Sequence, residues 1–132
     1  MERAASTPPP PRTGRREELP GRLPRRFRSL PLVEVGGLWV PLARGVRARA
    51  LGLARLERAD AGPGLLIPRC SSVHTFGMRF ELCVLFLDAD GEVLRRIDAL
   101  PPRRFAGCRG ADSVLELPAG GESFPGWGVD HL

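Results

Sequence analysis

Three polar side chains of this 132-residue chain, His74, Arg79 and Glu116, have the chemistry to act together on a small molecule. An imidazole titrates near neutrality, a guanidinium is a fixed cation and a carboxylate can take a proton. Together they would suit acid–base work on a small anionic or carbohydrate substrate. The same residues also suit a site that only binds, with Met78 and its neighbour Phe76 as the apolar wall of a ligand-binding mouth. In small β domains the structural use of such groups is the commoner one: a histidine bonded beside a turn, and an Arg–Glu pair tying two strands. His74, Met78, Arg79 and Glu116 are therefore the expected ligand-binding residues of a non-catalytic binding or interaction domain, with an enzyme using His74, Arg79 and Glu116 as the alternative.

Other chemistries find less support. Cys70, Cys83 and Cys108 are odd in number and form no CxxC pair, which argues against a disulfide scaffold and a standard zinc site. Along an extended strand Cys70 and His74 would stand roughly 13 Å apart, too far to share one ion. No metal and no cofactor is expected. Cys70 and Cys108 precede two motif strands at comparable positions, so they are expected to be near neighbours as reduced thiols. No serine lies in a G-x-S-x-G context, and no glycine-rich phosphate loop precedes a helix.

Charge divides the chain. Net charge is +5, and residues 1–30 carry eight Arg against Glu2, Glu17 and Glu18, whereas residues 31–132 carry twelve Arg against twelve acids. Pro and Arg dominate residues 1–30, which show no periodic apolar pattern, so a disordered tail is expected there and a single domain over 31–132. A basic tail could associate with nucleic acid or an anionic surface, but Glu17 and Glu18 interrupt the basic run and a solvated leader explains it as well. All 20 basic residues are Arg, which reads as a codon bias of a GC-rich, bacterial-like genome. The longest apolar run, residues 82–87, is far short of the roughly 20 residues a membrane span needs. Neither that run nor the N-terminal segment has the apolar stretch of a signal peptide, so a cytoplasmic location is expected.

The elements that must position these residues are mostly strands. Residues 32–35 and 38–42 flank Gly36-Gly37 as a hairpin. Over residues 45–59 the period changes, with Val46, Ala50, Leu53, Ala54 and Leu56 on one helical face, so one amphipathic helix is expected. Gly52 inside it implies either a closely packed neighbour or a short helix. Residues 65–67, 72–76, 79–88, 92–97 and 113–117 read as strands separated by Gly, Pro or Asp signals, and residues 82–87 have the unbroken apolar run of a strand buried on both faces. The run Leu100-Pro101-Pro102-Arg103-Arg104-Phe105 is expected to be an extended loop outside any ladder, with an arginine pair able to meet an anion or an acidic partner. Trp127 is expected to close the core. The fold class is mainly β: a small β-sandwich or jelly-roll-like open barrel with one covering helix.

Three ordered motifs carry a family resemblance. Cys70-Ser71-Ser72-Val73-His74-Thr75-Phe76-Gly77-Met78-Arg79-Phe80, Val84-Leu85-Phe86-Leu87-Asp88-Ala89-Asp90-Gly91-Glu92-Val93, and Arg109-Gly110-Ala111-Asp112-Ser113-Val114-Leu115-Glu116-Leu117-Pro118-Ala119-Gly120 resemble the core motifs of the domain of unknown function 192 family, also called uncharacterised protein family 0127. A similarity to the family's helix pattern at residues 49–55 extends the match to about residues 32–132. The resemblance implies a compact sandwich-like fold and implies no reaction. It also brings a departure: after Arg-Phe the family pattern usually runs Pro, an aliphatic residue and Asp, whereas this chain has Glu81, Leu82 and Cys83 there.

Overall fold

The computed structural model describes Arg12–Thr13 and residues 23–120. Its frame is an antiparallel sheet of four strands in the order β4-β9-β6-β7, where β4 is Leu65–Pro68, β6 is Leu82–Leu87, β7 is Val93–Leu100 and β9 is Ser113–Pro118. The apolar run of β6 is buried at every position, as its composition requires, because both faces of this sheet are covered. Alternation along the strand sorts the side chains between two cores. Leu82, Val84 and Phe86 enter one core with Leu65, Ile67 and Val114, while Cys83, Leu85 and Leu87 enter the other with Leu66, Leu115 and Leu117.

The second core is closed by the hairpin β2 (Leu32–Val35) and β3 (Leu38–Pro41), which turns at Gly36-Gly37 and supplies Val33, Val35 and Val40. Both glycines have positive φ, 59° and 87°, which a two-residue hairpin turn of this kind requires. β1 (Arg12–Thr13) pairs with the outer edge of β2. The arrangement is a small sandwich of antiparallel sheets, mainly β, with one α-helix among the described residues.

The first core is closed mostly by non-strand segments. The helix α1 spans only Gly45–Leu51 rather than 45–59, and it buries no side chain; Val46, expected on the inner face, is 86% exposed. Burial comes from the turn that follows, where Leu53 and Ala54 enter the core. Phe27 joins them, fully buried, from a 3-10 turn at Arg25–Phe27. Residues 23–30 therefore pack on the domain, and the boundary expected at residue 30 falls inside packed structure; one buried aromatic ring offsets the cost of ordering a short Arg-rich turn. Apart from Arg12–Thr13, the rest of the expected tail lies outside the described residues, as does Trp127 with its expected role in the core.

A second departure concerns residues 100–107. β7 runs on to Leu100, and after a turn Phe105–Gly107 forms β8, which pairs antiparallel with β5 (Ser72–His74) as a separate two-stranded ribbon. The Pro101-Pro102 turn separates β7 from β8 by only four residues, and Phe105 is the first residue of the new strand.

Candidate recognition surface

Four side chains were expected to share a mouth, and the structure distributes them over three places. Met78 is buried in the first core beside Leu53 and Ala54, as a filler of that core. Arg79 donates to Glu57 at 2.5 Å, with both side chains more than half exposed. That pair anchors the strand entry to the turn after α1 and reaches neither His74 nor Glu116 by any bond among the described residues.

Glu116 stands in the middle of the main sheet, opposite Leu65 of β4 and Val84 of β6, and faces the first core. Its carboxylate accepts a hydrogen bond from the Leu53 N–H at 3.3 Å. Burial pushes its pKa up to about 7, and that single backbone donor only partly opposes the shift. On the outer side of the same turn, Arg26 donates through Nη2 to the carbonyls of Gly52 and Ala54, each at 2.7 Å. Its guanidinium pKa is lowered, first by burial and then by the neighbouring charges of Arg47 and Arg55. The 52–54 turn is thus held between a carboxylate below and a guanidinium above.

Cys83 occupies the position where an aspartate was expected from the resemblance. It is buried in the second core with Leu85 and Leu117, and burial raises its thiol pKa to about 11, with smaller effects of Arg96, which lowers it, and Asp98, which raises it. An uncharged thiol behaves there as a small apolar filler. Cys70 and Cys108 are both free and partly buried, and the Cys108 N–H donates to the carbonyl of Ser71, so the two lie at the same end of the ribbon.

His74 does reach a distinctive environment. It pairs with Phe105 across the ribbon, and Phe76 follows it two residues on. The three rings form one cluster: His74 to Phe76 at 5.9 Å, His74 to Phe105 at 6.4 Å, and Phe76 to Phe105 at 5.2 Å, the last in an edge-to-face arrangement. The Nδ1 of His74 accepts a hydrogen bond from the Phe76 N–H at 3.2 Å, which fixes the ring orientation. Among the described residues nothing covers the cluster completely. Phe105 is 77% exposed and Phe76 46%.

Thr75 fixes the loop that carries Phe105. This side chain is fully buried, donates to the carbonyl of Pro101 at 2.6 Å and accepts from the Arg104 N–H at 2.8 Å. Backbone bonds from Thr75 to Arg104 and from Arg103 to Thr75 complete the clamp. Arg95 holds the other side of β8 by donating to the Gly107 carbonyl at 2.6 Å. The sequence alone does not mark Phe105 and Thr75, because their roles depend on the pairing of β5 with β8, two short strands more than 30 residues apart.

Among known proteins, the model of the domain of unknown function 192 family, described as "Uncharacterized ACR", matches residues 33–124. The chain belongs to that family. A search of curated proteins finds no match. Two crystal structures are similar. One, from Sinorhizobium meliloti 1021 and provisionally described as a transcription regulator, is 25% identical over 63% of this chain and 70% of its own, with a TM-score of 0.52. The other, a protein of unknown function from Novosphingobium aromaticivorans DSM 12444, is 19% identical over 82% of this chain and 88% of its own, with a TM-score of 0.55. The latter likeness establishes the shared fold alone. No helix among the described residues is long and apolar enough to cross a membrane.

Proposed function

We propose that this member of the domain of unknown function 192 family is a non-catalytic recognition domain whose contact surface is the ring cluster of His74, Phe76 and Phe105. One observation carries the reading: large aromatic side chains that water disfavours stand exposed on a ribbon that Thr75 and Arg95 hold rigid. Two exposed phenylalanines in contact with each other lose free energy to solvent unless a partner covers them, and a pre-ordered surface lowers the entropic cost of binding. The provisional description of the Sinorhizobium meliloti relative as a transcription regulator is compatible with a recognition role. Catalysis through His74, Arg79 and Glu116 has no geometric support, since the three have separate partners.

A thermal-shift screen of the full-length chain against nucleotides, sugars, aromatic amino acids and metabolites tests the proposal. A ligand that stabilises the wild type and not Phe105→Ala or Phe76→Ala is the expected result. Stabilisation that survives both ring substitutions and disappears in Arg79→Ala would overturn it in favour of the originally expected mouth.

A further inference from the structure

Resting on the recognition reading above, we propose that the ring cluster binds single-stranded nucleic acid, with bases stacked on Phe76, Phe105 and His74 and phosphates held by the surrounding arginines. Residues 31–132 carry equal numbers of Arg and acidic residues, but the ribbon itself is cationic, with acids first at Glu81 and Asp112 just beyond its two segments. Residues 69–80 and 101–111, the two segments that build the ribbon, contain Arg69, Arg79, Arg103, Arg104 and Arg109 and no Asp or Glu. Arg79 is answered by Glu57, while Arg69, Arg103, Arg104 and Arg109 have no ion-pair partner among the described residues. Arg103 and Arg104 directly precede Phe105, so unpaired cations and exposed ring lie side by side on one clamped loop.

This combination matches one ligand class better than others. Single strands are held by sequence-tolerant stacking of bases on aromatic faces, together with cationic groups that follow the phosphates. Placing the rings on adjacent short strands, with His74 opposite Phe105, presents them side by side for neighbouring bases, the device by which sheet surfaces read about two or three nucleotides. The guanidinium fork fits phosphate oxygens in pairs. A duplex hides its base faces, so stacking predicts a preference for single strands.

Fluorescence anisotropy of the full-length chain with a short labelled RNA or DNA single strand, at low salt, is the deciding experiment. Single strands should bind more tightly than the corresponding duplex. Phe76→Ala and Phe105→Ala, both at exposed positions and checked for an unchanged melting temperature, should each weaken binding about tenfold. The double variant Arg103→Gln, Arg104→Gln should lower the slope of log affinity against log salt by about 0.7 per arginine removed. Three results would overturn the proposal: no binding, equal binding of the duplex, or wild-type binding by the ring variants together with loss on changing Arg15, Arg16 and Arg22 to Gln, which would assign the affinity to the N-terminal arginines. If single strands fail to bind while Phe105→Ala still abolishes stabilisation by another ligand, this inference falls and the recognition reading stands; if neither effect appears, both fall.

Discussion

The carboxylate of Glu116 lies directly beneath Gly52: a Cβ built on the glycine would come within 2.6 Å of Oε1. This contact explains why α1 stops at Leu51. Gly52 takes φ 53° and ψ −128°, a conformation costly for any residue with a side chain, and its N–H still bonds back to Ala48 as the helix ends. The chain can then fold inward and place Leu53 and Ala54 over the sheet. Substitution and titration of this pair give different, separable readouts.

Gly52→Ala should destabilise the domain by roughly 1–3 kcal/mol, from backbone strain and from the need to displace a buried carboxylate. Chemical denaturation measures it. An unchanged midpoint would mean that the 52–54 turn relaxes freely, contrary to its attachment to both Arg26 and Glu116.

Glu116 should make stability fall as pH rises. Its folded pKa is raised from 4.5 to about 7, so between those values the folded state holds a proton that the unfolded chain releases. Stability is fully retained below the unfolded value, declines through the window and levels off above the folded value. At about 1.4 kcal/mol per unit the contribution is on the order of 3 kcal/mol. Glu116→Gln keeps an oxygen for the Leu53 N–H and should flatten this part of the profile, so that the variant exceeds the wild type in denaturation midpoint at pH 8. A wild-type profile that rises across the same window would refute it.

Most strands are legible because they carry a local signal: the glycine pair at 36–37, the Asp-rich turn before β7, and the unbroken apolar run of β6 all act within a few residues, whereas β8 has no such signal and reads as part of a loop. The sequence pattern overextends the helix because the apolar spacing of Leu53 and Ala54 continues that of a helix, although a tertiary contact, Glu116 on Gly52, ends it. Glu116 itself looked like a site residue because a carboxylate on a strand is normally solvated; that this one is buried follows only from its register opposite Leu65 and Val84. The ring cluster was half visible. His74 and Phe76 drew attention, but Phe105 belongs with them only through the pairing of β5 with β8.

Thr75 should matter more than its size suggests. Thr75→Val keeps the shape but removes the donor to Pro101 and the acceptor for Arg104, leaving two part-buried backbone groups without their side-chain partner. The expected cost is about 1–3 kcal/mol. Faster hydrogen exchange at the Arg104 amide should accompany it, and unchanged exchange would show that the backbone bonds alone hold the loop.

Arg79→Ala should change stability by less than about 1 kcal/mol, because an exposed ion pair gains little in high dielectric and is screened by salt. The same substitution was the natural probe of a His–Arg–Glu mouth. Loss of a ligand that ring variants still bind would restore that reading, whereas a large loss of stability on denaturation would mean that the pair holds the fold together.

Phe27 tests where the domain begins. Its ring is fully buried against the first core, although it belongs to an Arg-rich segment whose composition resembles a disordered leader. If packing governs, Phe27→Ala should cost about 3–5 kcal/mol, the usual range for emptying a buried aromatic position. Protease digestion should then cut the variant readily between residues 23 and 31, at Arg25, Arg26 and Arg28, where the wild type resists. Equal cleavage and equal stability in the two proteins would place the start of the cooperative unit after residue 30, and would mean that Arg26 reaches the carbonyls of Gly52 and Ala54 without contributing to the fold.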